Sequence, residues 1–190
     1  MKFLFMRHGE TLANTKGLLS GALCTSRLTQ LGRRQVELAA HALFVNALPP
    51  DVVLLSPALR ARQTAEIIRT HLRLPEHVFM EEPGLLERHF GEWESTPFEQ
   101  VKEKLLAGEI GAGGESMADF RRRIAEVAER IADMQGREVL VISHGMVWQT
   151  LHDLHSAAET PWIGNADVYR VTLESAAISS EHVYRQEKEE

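Results

Sequence analysis

Three short apolar runs constrain this chain more than any other feature: FLFM at 3–6, DVVLL at 51–55 and EVLVIS at 138–143. Each is too short for a buried helix, is partly aromatic or β-branched, and is bounded by polar or turn residues. They read as strands buried on both faces. VFMEE (78–82), VYRVTL (168–173) and AAISSEHVY (176–184) are weaker strand candidates. Helical patterns lie between them. After Thr29, an expected N-cap, Val36, Ala39, Ala40, Leu43 and Ala47 share a face, and Pro49-Pro50 ends the segment. Ser56-Pro57 reads as a cap followed by proline at the first helical position. Beyond it Ala61, Ala65, Ile68 and Leu72 recur at helical spacing. A third helix is expected from Ser116, with Phe120, Ile124, Val127 and Ile131 on one stripe, and a fourth after His144.

Strands alternating with helices imply an α/β fold. The expected architecture is a three-layer α/β/α sandwich around a mostly parallel central sheet. At 190 residues the chain fits a single domain over 1–190. The glycine-rich stretch 107–115, inside the longer segment 97–115, reads as an inserted loop, and 185–190 as a charged, solvated tail.

Composition narrows the function. A net charge of −6 gives little general attraction for nucleic acid or anionic lipid, so neither is expected as a partner. Any anion must be held by a local cluster of Arg and His. The single cysteine, Cys24, cannot form an internal disulfide and fits a reducing compartment. FLFM is shorter than the roughly 7 apolar residues of a secretory signal. No run approaches the ~20 needed to span a bilayer. The expected location is the cytoplasm. Oligomeric state is not legible.

In open parallel sheets, ligands bind beyond the carboxyl ends of the strands. Arg7 and His8 follow the first strong run, Ser56 and Arg60 the second, and Ser143, His144 and Gly145 the third. If these strands are neighbours, two arginines and two histidines converge. Guanidinium forks match phosphate oxygens, and backbone N–H groups at a helix start add donors. Nearby positive charge keeps an imidazole neutral with a free lone pair. Such a histidine can attack phosphorus. A second can stabilise the charge of the transition state, and a carboxylic acid can protonate the leaving alkoxide.

RHGET at 7–11 with Asn14 downstream, SPALRARQTA at 56–65, LLERHFGEWE at 85–94 and SHGM at 143–146 occur in this order. Together they resemble the four motifs of the histidine phosphatase superfamily, the phosphoglycerate mutase-like family with the RHG motif. The resemblance is to its small phosphatase branch and runs from residue 3 to about 165. It implies that His8 is the nucleophile and becomes a phosphohistidine. It implies that Arg7 and Arg60 clamp the phosphoryl group, that His144 with Gly145 completes the pocket, and that Glu87 is the general acid and later the base. Asn14, Ser20 and Gly21 align with secondary phosphate or substrate contacts, and Arg88 could serve a substrate anion. No cofactor or metal is implied. The expected partner is a small phosphorylated substrate.

Chemistry alone does not choose Glu87 over Glu81, Glu82, Glu92 or Glu94; the resemblance does. Glu10 reads as a solvated or hydrogen-bonded loop residue. His152 and His155 at i, i+3 could hold a metal but read as an exposed helix face. Trp93, Trp148 and Trp162 read as packing residues, with Trp93 an alternative at the substrate entrance. Met146 stands where many relatives have glycine, and could narrow the pocket or turn into the core. Two other readings stay open: mutase-type return of the phosphoryl group to a second hydroxyl, and a non-catalytic phosphate-binding protein.

Overall fold

The three strong apolar runs lie side by side at the centre of one six-stranded sheet. The structure, a computed structural model, describes residues 1–174 and 177–186. Its strands are β1 (Lys2–Arg7), β2 (Val52–Leu55), β3 (Phe79–Glu81), β4 (Val139–Ser143), β5 (Val168–Glu174) and β6 (Ala177–Tyr184). The helices are α1 (Leu12–Thr15), α2 (Gln30–Val45), α3 (Leu59–Leu72), α4 (Phe98–Leu106), α5 (Met117–Ala132) and α6 (Gly145–His155). The sheet order is β3-β2-β4-β1-β5-β6. The first four strands of that order run parallel, and β5 and β6 close one side antiparallel. The weaker strand candidates are thus the outer strands, as their partly polar sequences suit. Ala176 of the last candidate and residues 187–190 of the charged tail lie outside the described residues.

Alternate residues of the central strands feed two separate cores. Phe3, Phe5, Val52, Leu54, Val139 and Val141 pack with Phe120, Ile124 and Ile131 of α5 and with Val147, Trp148 and Leu151 of α6. Leu4, Met6, Val53, Leu55, Leu140 and Ile142 pack with Val36, Ala40 and Leu43 of α2 and with Ala61, Ala65 and Ile68 of α3. Helices therefore cover both faces, giving the expected three layers. The register aligns the strand ends, with Arg7 opposite Ser143 and Leu55 opposite Ile142.

Caps Thr29 and Ser116 stand where the sequence places them, each accepting from the backbone N–H three residues on. Ser56 does not cap α3. That helix starts later, with Ala58 at its N-cap and no side-chain bond there. The Ser56 hydroxyl accepts from Ala58 N–H and pairs with His144 instead. Helix α4 lies within the segment 97–115. It packs Val101 and Leu105 on Leu19, Phe90 and Trp93 as a small satellite core.

The exposed-face reading of His152 fails. Its imidazole is buried, with Nδ1 against the Trp148 carbonyl and Nε2 against the Ser180 hydroxyl of β6. Among the described residues no group of three His, Cys, Asp or Glu could hold a metal, and no helix is long and apolar enough to cross a membrane.

The loop after β1 packs directly on the first turn of α2. A Cβ on Gly32 would stand 2.0 Å from the Glu10 carbonyl oxygen, and one on Gly9 would stand 2.5 Å from the Gly32 carbonyl oxygen. Backbone cannot yield as a flexible side chain can. Gly32→Ala is therefore expected to cost about 2–3 kcal/mol, read by urea denaturation. A loss below about 0.5 kcal/mol would show that the loop can retreat.

Candidate active site

His8, Ser56 and His144 each stand one residue beyond a central strand, and all are buried. Backbone bonds lock the three exits together. His8 N–H donates to the Ser143 carbonyl at 3.0 Å, and Ser56 N–H to the Ile142 carbonyl at 3.0 Å. The rings of His8 and His144 lie 5.2 Å apart, edge to face.

The tautomer of His8 follows from its neighbours. Its Nδ1 lies 2.8 Å from the Gly9 carbonyl, which can only accept. Its Nε2 lies 3.2 Å from Arg60 Nε, which can only donate. The proton therefore sits on Nδ1 and the lone pair on Nε2. Burial holds the proton affinity of His8 well below the ordinary value of 6.5, and the charges of Arg60 and Arg7 lower it further. His144 is held low by burial, then Arg60, His8 and Arg7. Both rings are neutral in the fold.

Arg60 is wholly buried at the start of α3. Besides meeting His8, it donates to the carbonyls of Cys24 (3.1 Å), Ser20 (3.4 Å) and Gly21 (3.2 Å). Glu94 shapes that loop by accepting from the N–H groups of Gly21 and Leu23. A Cβ at Gly21 would collide with Glu94 and with the Arg88 carbonyl. Thr64, one turn after Arg60, accepts from Gly9 N–H and donates to the Arg60 carbonyl. Glu10 accepts from the Thr29 hydroxyl and is a hydrogen-bonded loop residue.

Arg7 reaches the Ile163 carbonyl through Nη1 at 3.0 Å, while its buried Nε has no partner among the described residues. His144 pairs through Nε2 with the Ser56 hydroxyl at 2.7 Å, and its buried Nδ1 likewise has none. Two unpaired buried nitrogens are costly unless a hydrogen-bonding partner completes them. Gly145 opens α6 beside the Arg7 guanidinium, where a Cβ would stand 3.8 Å from it.

Glu87 is buried, and its carboxylate accepts from Arg88 N–H at 3.1 Å and from Met146 N–H, in the first turn of α6, at 3.2 Å. Burial raises its proton affinity; Arg60, the two N–H groups and Arg7 act against this. Arg123 of α5 holds the loop that carries Glu87. It donates to the carbonyls of Gly84 and Leu86 at 2.7 and 2.8 Å, and grips both oxygens of Glu115 at 3.0 and 2.7 Å. Ser143 adds a bond to the Leu85 carbonyl at 2.8 Å.

A cavity of about 960 Å³ opens over this cluster, and Arg7, His8, Asn14, Ser20, Glu87 and Gly145 line it. Asn14 is positioned by Thr11 and Asn165, and Asn165 also donates to the His8 carbonyl. Arg88 does not reach the cavity. Its Nε donates to the Glu115 carbonyl, and its guanidinium lies over Phe90. Met146 is half-buried and does two things, lining the cavity and packing into the core. Trp148 is a packing residue that also reaches the cavity wall. Trp162 is not packed; it is 74% exposed at the rim. Trp93 packs in the satellite core.

Sequence reasoning missed Arg123 and the positioning roles of Thr64, Glu94 and Asn165. The last three bond mainly to backbone or orient a neighbour, which leaves no spacing to read. Arg123 does flank the apolar stripe of α5, one residue before Ile124, and that placement was its only signal.

Two outcomes follow. Arg123→Met is expected to cost about 2–3 kcal/mol in urea denaturation; a loss under 1 kcal/mol would show that other contacts hold the Glu87 loop. The pH dependence of stability has a defined sign. Below 6.5 the unfolded chain protonates histidines that the fold keeps neutral. Each such group removes up to about 1.4 kcal/mol per pH unit as pH falls. Glu87, with raised affinity, acts oppositely, its contribution being lost as pH rises above 4.5. His8→Gln should shed about one proton from the slope between pH 6.5 and 5. An unchanged slope would show that His8 is not neutral in the fold.

Comparison with known proteins agrees with this geometry. Residues 3–184 match the histidine phosphatase superfamily, branch 1. The chain is 33% identical over 155 residues to the adenosylcobalamin/alpha-ribazole phosphatase of Salmonella typhimurium, covering 76% of this chain and 74% of that one. A mycobacterial glucosyl-3-phosphoglycerate phosphatase superposes with a TM-score of 0.78 at 25% identity, covering 95% of this chain and 97% of its own. A phosphoglycerate mutase from Thermus thermophilus superposes with a TM-score of 0.75 at 26% identity, covering 98% and 100%. With its motifs in order on this sheet, the chain belongs to the histidine phosphatase superfamily.

Proposed function

We propose that this histidine phosphatase hydrolyses small phosphomonoesters through a covalent phosphohistidine on His8. The observation that carries this reading is the His8 ring itself, neutral, buried, with its lone pair on Nε2 beside Arg60. The unpaired Arg7 Nε and His144 Nδ1 supply positions for phosphoryl oxygens. Asn14 and the first turn of α6 at Gly145 add polar contacts at the same cavity.

In the first step Nε2 attacks phosphorus as the ester P–O bond breaks. Glu87, whose proton affinity burial raises, gives a proton to the departing oxygen. In the second step Glu87, now a carboxylate, takes a proton from water. The water oxygen attacks phosphorus, the N–P bond breaks, and inorganic phosphate leaves. Arg7 and Arg60 neutralise charge in both steps, and His144 donates to an equatorial oxygen. The lone cysteine supports action in the cytoplasm.

Mutase-type transfer is the second reading, favoured by the likeness to the Thermus enzyme. It needs extra cations for a substrate carboxylate. Arg88, the residue suited to that task, is engaged with Glu115 and Phe90 instead.

His8→Gln is expected to abolish hydrolysis and acid-labile phosphate labelling together; labelling that survives would move the nucleophile elsewhere. Glu87→Gln should slow alkyl esters by about 10²–10⁴ while sparing esters with acidic leaving groups. Equal loss on both would remove the general-acid role.

A further inference from the structure

The cavity above the phosphoryl site has a composition of its own. Away from Arg7 and His8, its ionisable side chains among the described residues are the two acids Glu87 and Glu159. No lysine and no second arginine among the described residues lines it. A carboxylate or second phosphate on the substrate would meet Glu159 there with no cation to offset it. The walls are mostly apolar, with Leu18, Leu19, Phe90, Phe98, Met146 and Trp162 set among uncharged polar residues such as Gln149 and Thr160. At about 960 Å³ the space exceeds what a phosphorylated three-carbon acid fills.

The rim is built to hold its shape. Three side chains from three elements pin consecutive carbonyls: Trp148 Nε1 donates to Pro161, Tyr169 Oη to Trp162 and Arg7 Nη1 to Ile163. Trp162 thus has a fixed backbone and is itself 74% exposed. The opposite wall is equally tied. Leu19 N–H donates to the Thr96 carbonyl and Phe98 N–H to the Gly17 carbonyl, which joins the Leu18 segment to the start of α4. An exposed tryptophan on a rigid backbone, facing a cavity with an exposed phenylalanine, offers flat apolar surface without an ordering cost.

Resting on the phosphomonoesterase reading, we infer that the site selects phosphomonoesters whose alcohol carries a flat aromatic group and no second anion, with Trp162 and Glu159 setting that selectivity. Trp162 provides the surface on which the aromatic group lies. Glu159 disfavours anionic alcohols.

Three esters with alkyl alcohols test this while keeping leaving-group chemistry similar: 2-(1-naphthyl)ethyl phosphate, ethyl phosphate and 3-phosphoglycerate. The wild-type kcat/KM for the naphthyl ester is expected to exceed that for ethyl phosphate by roughly 30-fold, with 3-phosphoglycerate the poorest. Trp162→Ala should reduce the naphthyl-to-ethyl ratio by roughly tenfold. Glu159→Lys should raise the 3-phosphoglycerate-to-ethyl ratio by about fivefold. Each ratio is taken within one preparation, so loss of folded enzyme cancels. Turnover of 3-phosphoglycerate equal to that of the naphthyl ester, or ratios that neither variant moves, overturns the assignment. Absence of turnover with all three esters overturns the phosphomonoesterase reading beneath it.

Discussion

The contact between Arg60 and His8 governs this site. A guanidinium that can only donate meets an imidazole nitrogen, and that meeting determines which nitrogen keeps its lone pair. The same charge, with burial, keeps the ring unprotonated. Everything nearby serves to hold the two groups in place. The parallel register of β2, β4 and β1 brings their exits together. The carbonyls of 20–24 hold Arg60 from one side, and Thr64 ties the Arg60 turn to the loop carrying His8. A fold of this kind puts no functional demand on its sheet beyond making three ends coincide.

Glu87 is placed by different means. It rides on an irregular segment with no strand beneath it, so its position rests on side-chain bonds to backbone carbonyls. Arg123 and Ser143 provide these, from the helix layer and from the sheet. His8 is thus positioned by topology and Glu87 by a polar brace. Catalytic loops on rigid scaffolds often divide the work in this way.

That division explains what could be read in advance. β1, β2 and β4 are buried on both faces, so they appear as unbroken apolar runs, and the polar residues ending them are visible as a group. The helices bearing a broad apolar stripe are equally plain. Helix α4 is only nine residues long, buries only Val101, and is followed by a glycine-rich stretch that draws the whole segment toward a loop reading. His152 looked like a surface histidine because its partner, Ser180, comes from a strand 28 residues away. The close neighbour of Gly9 is the backbone of α2. Ser56 looked like a cap because serine before proline usually is one, but its oxygen is committed to His144. In each of these cases the deciding partner is distant in the chain.

The pinned rim also bears on how such an enzyme can change. The carbonyls of 161–163 are held by side chains rooted in the first strand, the last helix and an antiparallel strand. One of those side chains, Arg7, belongs to the His8 cluster itself. Insertions there would disturb that cluster, so the rim has little freedom to vary in length. New substrates must be reached through single exchanges of the residues it displays. Diversification on this scaffold is therefore a matter of repainting a fixed frame, with the chemistry beneath it left untouched.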